Sequence, residues 1–103
     1  MAYVIEFASS VKEQIRGLSA RERAIVIESI EEQLLSEPLT ETRNRKPMRP
    51  NPIAPWELRI GSLRVFYEVV SEEPDVVRIL AVGRKEGNKL IIAGKEVDLD
   101  END

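Results

Sequence analysis

The chain contains neither cysteine nor histidine. Without cysteine it can form no disulfide, offer no thiolate nucleophile and hold no cysteine-ligated zinc. Without histidine it lacks the commonest metal ligand and the commonest general acid–base near neutral pH. Long apolar runs are missing too. None approaches the roughly 18 residues of a membrane span, and no charged segment leads into an apolar one. These absences make a cytoplasmic protein without metal or cofactor the expectation. A length of 103 residues supports one domain with a modest core and leaves no room for a cofactor domain. Residues 1–103 are therefore read as a single domain.

Composition is that of a soluble globular protein, 42% hydrophobic and 33% charged. The formal net charge of −4 opposes simple non-specific binding of nucleic acid, which normally uses a basic domain. The charges are unevenly spread, however. Arg43, Arg45, Lys46, Arg49, Arg59 and Arg64 stand within one stretch against Glu57 alone, while the first half is rich in glutamate and the tail in acids. A local field matters more than the sum when one face meets a polyanion.

Residues Tyr3 to Ala8 alternate, with Tyr3, Ile5 and Phe7 on one side, and predict a first strand. Ser10 with Glu13 and Ser19 with Glu22 have capping-box spacing, which predicts helices over 10–17 and 20–36, the second ended by Pro38. On that helix Ala24, Ile27, Ile30 and Leu34 form a stripe, edged by Val26 and Leu35, expected to pack on a sheet. From Leu39 to Ala54 the prolines exclude regular helix and a central strand. The loop is long for so small a domain, and such loops are more often functional or disordered than idle.

Strands are predicted over 56–60, 63–70 and 75–82, with turns at Gly61-Ser62 and Glu72–Pro74, as an antiparallel meander. Lys89–Ile92 and Glu96–Leu99 flank Ala93-Gly94 as a small hairpin, and residues 100–103 are expected to fray. The segment Pro55 to Lys85 thus carries arginines at strand positions and ends in a basic pair. A strand arginine requires an anion to face. With no other chemistry visible, the candidate anion is nucleic acid.

This order of elements, with WELRIGSLRVFYEV and AVGRK inside it, resembles the RelE/ParE toxin superfamily of toxin–antitoxin modules over nearly all of residues 1–85. Its most specific part is Leu58-Arg59 followed by Leu63-Arg64-Val65-Phe66-Tyr67, then Val82-Gly83 and two basic residues. The resemblance implies an α+β fold, with two helices on one face of a mainly antiparallel sheet and a concave basic site on the other. RelE-like members cut messenger RNA in the ribosomal A site without a metal. ParE-like members poison DNA gyrase instead. Both are neutralised by a cognate antitoxin. The similarity does not separate the ribosome from gyrase as target, nor either from a toxin fold that has become an inactive binding protein. The terminal hairpin looks like an extension that many shorter members lack.

RNA cleavage by 2′-hydroxyl attack needs cations near the phosphoryl oxygens, a proton acceptor and help for the leaving oxygen. Arginine suits the first role, because its planar fork binds phosphate and stays charged. By resemblance, Arg64 stabilises the phosphate and Lys85 is the second catalytic cation. Its neighbour Arg84 points to the opposite face of a strand, and alternation alone does not choose between them. Arg49 matches the basic residue of the family's loop and would hold RNA backbone. Arg59, Arg84, Lys46 and Arg45 are further RNA-binding candidates. Glu57 stands where RelE-like toxins place a lysine and is the candidate base. Where some carry a late tyrosine or histidine, this chain has Ile91. Trp56 and Tyr67 are read as packing residues.

Overall fold

The computed structural model describes residues 3–98. In chain order these form β1 (Val4–Phe7), α1 (Ser9–Arg16), α2 (Ala20–Leu34), β2 (Arg45–Pro47), β3 (Trp56–Ile60), β4 (Leu63–Val70), β5 (Val76–Glu86), β6 (Lys89–Ile92) and β7 (Lys95–Val97). The predicted first strand, meander and hairpin are all present. Leu99 and the tail expected to fray lie outside the described residues.

Local chemistry explains the helix starts. The Ser19 hydroxyl accepts from the Glu22 amide at 3.1 Å, and the Glu22 carboxylate accepts from the Ser19 amide at 3.1 Å, so the predicted capping box forms in full. The box expected at Ser10 does not. Helix α1 begins at Ser9 with Ala8 as its cap and no side-chain cap bond, which leaves Ser10 inside the first turn. Glu13 bonds Arg16 instead, at 3.0 Å. Arg23 closes the other end of α1 by donating to the carbonyls of Arg16 and Leu18, at 3.3 and 3.1 Å. Helix α2 ends at Leu34, four residues before Pro38.

The stripe expected on α2 needs correction. Val26, Ile30 and Leu34 are its buried residues, whereas Ala24 is exposed and Ile27 is 37% exposed. Ile30 and Leu34 are common to both stripes, so the helix is rotated only slightly from the expected setting.

The sheet runs β2-β3-β4-β5-β6-β7 through antiparallel neighbours, and β1 pairs in parallel with β5. Strand β5 organises the fold. One of its edges takes β4, and the other takes β1 beside residues 76–79 and β6 beside residues 84–86. Between these two partners the Gln14 side chain accepts from the Val82 amide at 2.8 Å, satisfying a backbone donor that no strand reaches. Strand β2, which the proline pattern had not suggested, is an edge strand ending in Pro47, a place where a missing amide is tolerated.

The main core lies between helices and sheet: Val11, Val26, Ile30, Leu34, Leu58, Leu63, Val65, Tyr67, Val77, Ile79 and Val82. Trp56 packs at its edge, its ring centroid 6.1 Å from that of Tyr67. The Tyr67 ring is fully buried and its hydroxyl donates to the Pro38 carbonyl at 2.6 Å. Burial pushes this phenol's pKa above the ordinary tyrosine range. A second, smaller core occupies the opposite face, where Phe66 and Ala81 meet Leu90, Ile92 and Ala54. Gly83 makes that packing possible. A Cβ there would lie 2.5 Å from the Ile91 carbonyl oxygen and 2.7 Å from a side-chain carbon of Ile92. No helix among the described residues is long and apolar enough to cross a membrane.

Candidate functional site

Which basic residues share a face is decided by one irregularity. Val77 and Ile79 lie on the helix side of β5, opposite Val69 and Tyr67. Regular alternation from there would put Ala81, Gly83 and Lys85 on that side as well. The register shifts between Phe66 and Tyr67, however, so Tyr67 pairs with Ile79 while Phe66 pairs with Ala81. Leu80 is the extra residue of a β-bulge. Beyond it the parity inverts, sending Val82 and Arg84 to the helices and Gly83 and Lys85 to the opposite face.

On that opposite face Arg59, Arg64 and Gly83 stand in one cross-strand row. Lys46, Glu57, Phe66 and Ala81 form the adjacent row. Lys85 is the next residue on this face along β5, diagonal to Arg64. Such diagonal neighbours lie roughly 7–8 Å apart, within reach of long side chains. The structure therefore places Arg64, Lys85, Arg59, Glu57 and Lys46 on one face, with Arg49 on the loop that borders the same face. Arg64 stands next to Arg59 and Lys85, and Lys46 lies out on the edge strand.

Arg64 is the best-held cation of this group. Its guanidinium donates from one Nη to the carbonyls of Gly61 (2.7 Å) and Leu63 (2.9 Å). Gly61 sits at φ +60 in the β3–β4 turn, a backbone setting that glycine adopts without steric cost. The turn thus fixes the direction of Arg64 and leaves the rest of the fork to bind an anion. Burial lowers its pKa from the ordinary arginine value, Glu57 raises it and Arg59 lowers it. A guanidinium remains charged throughout the neutral range all the same.

Directly opposed arginines repel, and Glu57 offsets this by taking Arg59 Nε at 2.7 Å. The Glu57 side chain is only 13% exposed, so Arg59 both neutralises and orients it. Lys46 lies 3.6 Å from Glu41. Arg49 and Lys85 have no carboxylate partner among the described residues.

Two RNA-binding candidates lie elsewhere. Arg45 is buried to 8% exposure, pairs with Leu58 on the helix side and donates to the Thr40 carbonyl and to the Gln33 carbonyl and side chain at 2.8–2.9 Å. It ties the loop to α2. Arg84 makes a two-pronged bond to Glu22, both contacts at 3.1 Å, fastening α2 to β5. Ile91 pairs with Arg84 and Leu90 with Lys85, so neither position sets a tyrosine or histidine beside Lys85.

Sequence reasoning overlooked Asn51. Its amide and carbonyl make four hydrogen bonds of 2.7–3.0 Å within the proline loop and hold the backbone that carries Arg49. An asparagine among prolines is a turn signal that was available. The bulge left no comparable mark. Among the described residues there is no group of three His, Cys, Asp or Glu that could hold a metal ion.

The α+β arrangement of two helices on one face of a mainly antiparallel sheet has a counterpart among solved structures. It is a chain of the toxin–antitoxin complex RelBE2 from Mycobacterium tuberculosis, 28% identical, matched over 82% of this chain and 100% of that one with a TM-score of 0.69. The chain has the RelE-like toxin fold. No family model matches it, and no curated protein does.

Proposed function

We propose that this chain is the toxin of a type II toxin–antitoxin module, a cytoplasmic mRNA endoribonuclease that acts on the ribosome and is held inactive by a cognate antitoxin. The observation that carries the reading is the shared face of Arg64 and Lys85, with Glu57 in the next row and Arg49 on the loop that borders that face. Likeness to a chain of a toxin–antitoxin complex supports the module and the antitoxin partner.

In this mechanism the ribose 2′-oxygen attacks the adjacent phosphorus and its proton passes to Glu57, whose orientation is set by Arg59. The bond from phosphorus to O5′ breaks, leaving a 2′,3′-cyclic phosphate, and Lys85 delivers a proton to O5′. Arg64 stabilises the charge that builds on the non-bridging oxygens, the role in which a fixed cation contributes most. Arg49, Arg59 and Lys46 hold neighbouring phosphates. The ribosome supplies orientation of the substrate. An acidic antitoxin segment laid over Arg49, Arg64 and Lys85 would block the site by the same charges.

The test maps messenger RNA 5′ ends in a reconstituted translation reaction, beside Arg64→Ala. Ribosome-dependent cuts at A-site codons are expected, reduced by roughly 10²-fold or more in the variant, as for loss of one oxyanion donor. Intact messenger RNA with a folded protein would reject the nuclease and turn attention to gyrase.

A further inference from the structure

The loop between β2 and β3 is built as a wall. Asn51 Oδ1 accepts from the amides of Ile53 (2.7 Å) and Ala54 (3.0 Å), and its Nδ2 donates to the carbonyls of Arg49 (2.7 Å) and Ala54 (2.9 Å). The Met48 amide closes the base of the loop on the Pro55 carbonyl at 2.8 Å. Pro50, Pro52 and Pro55 fix φ and remove donors. The result is a loop held by its own hydrogen bonds, with few free backbone donors.

Between this wall and the sheet lies a cleft of about 400 Å³, within the rough range of 300–1,000 Å³ seen for small-ligand sites. Met48, Ile53, Ala54 and Leu80 give it an apolar lining, and Arg49 and Glu68 add its charges. Leu80 is the bulged residue, so the irregularity that brings Lys85 to this face also furnishes part of the cleft's floor.

We propose that the cleft seats one unstacked base of the RNA strand, and that Asn51 is the positioning residue that keeps the seat formed. This rests on the RNA-cutting function above. An apolar floor repels a phosphate, whose desolvation it cannot offset, but it accepts the π-face that every base carries. The rim offers a cationic donor in Arg49 and an acceptor in Glu68, the two kinds of partner that a base edge requires. Glu68 Oε2 accepts from Arg78 at 3.3 Å, and its other oxygen has no hydrogen bond among the described residues. Arg49 lines the cleft beside Glu68. Glu68 stands four residues along β4 from Arg64 on the same face, about 13 Å away, so a strand that follows the cations along this face reaches the opening. Both polar ends of Asn51 are consumed by the loop, so Asn51 shapes the seat and does not read the base.

The experiment titrates 2′-O-methyl hexanucleotides, which lack the attacking hydroxyl, into the full-length protein. In a companion series each base in turn is replaced by an abasic sugar. The intact oligomer should move the amide resonances of Ile53, Ala54 and Leu80. Removing one particular base should weaken binding by about ten-fold, in the range for one stacked base, and leave those resonances still. In Asn51→Ala that abasic penalty should vanish, and in Asn51→Asp, which keeps both acceptor contacts, it should persist in part. The proposal falls if the intact oligomer leaves the cleft resonances unmoved or if all abasic positions cost the same. Should Arg64→Ala still weaken binding in that case, the cationic face survives and only the base seat is lost. No binding at all overturns the seat, while the translation assay decides the cutting activity separately.

Discussion

Replacing Gly83 by alanine tests the geometry on which the basic face depends. The new Cβ would stand 2.5 Å from the Ile91 carbonyl oxygen and 2.7 Å from an Ile92 side-chain carbon, whereas such atoms settle at about 3.5–4.0 Å. The Ile92 side chain can rotate away, but the Ile91 carbonyl is part of the β5–β6 pairing and cannot. Strand β6 must therefore retreat by roughly 1 Å, which loosens Leu90 and Ile92 from Phe66 and Ala81. Overpacking of this kind costs about 1–3 kcal/mol, or at least roughly 4 °C in the unfolding midpoint of a domain this size. Thermal unfolding followed by circular dichroism would measure the total. Amide exchange would locate it, with protection lost in β6 and β7 and kept in α2 and β4. A Gly83→Ala protein with an unchanged midpoint and a protected β6 would refute the argument from close approach.

Three further outcomes follow from the same structure. Tyr67→Phe removes the 2.6 Å bond to Pro38 and strands a buried carbonyl, so urea denaturation should show a loss of about 1–3 kcal/mol; a loss near zero would mean that water takes the phenol's place. The Glu22 carboxyl is held below its ordinary pKa, first by the Arg84 bond and then by the Ser19 amide. Because its folded pKa is depressed, its contribution is complete above the unfolded carboxylate range and disappears as pH falls through the lowered folded value. Glu22→Gln should flatten that part of the acid limb in urea midpoints measured against pH, and an identical limb in both proteins would contradict the assignment. Ala93 occupies φ 55 beside Gly94 at φ 78, the pattern of an Asn-Gly hairpin turn. Ala93→Asn should stabilise the hairpin by roughly 1 kcal/mol, read as a higher denaturant midpoint.

Much of this fold was legible in the sequence. Strands β3 and β4 match their predicted bounds because Trp56 to Ile60 and Leu63 to Val65 alternate on the two sides of Gly61-Ser62. The full capping box at Ser19 likewise marked the start of α2. What stayed hidden depends on distant partners. Two overlapping stripes on α2 satisfy helical spacing, and the rotation of the helix is settled by tertiary contacts, with Arg23 bonded to the end of α1 and Glu22 to Arg84. Arg45 reads as a loop cation, yet its partners on α2 lie 12 residues earlier. Alternation alone could not separate Lys85 from Arg84, and only the resemblance favoured Lys85, because their facing depends on the bulge at Leu80 and nothing in the run Val76 to Lys85 announces an extra residue. Arg64, Arg49 and Glu57 were legible as candidates from their motif context, while Asn51 was overlooked because it acts through the backbone of others.

The parallel pairing of β1 with β5 also sets an order of events during synthesis. Glu6 and Arg78 are bonded across a separation of 72 residues, so β1 waits for a strand made much later. Helices α1 and α2 and the β3–β4 hairpin rest on local contacts, which close early and fast, whereas contacts of long separation come late. Lys85 joins Arg64 only after the bulge has been made and β5 has paired. A nascent chain therefore carries Arg64 and Lys85 on separate, unassembled pieces until β5 has been made and paired.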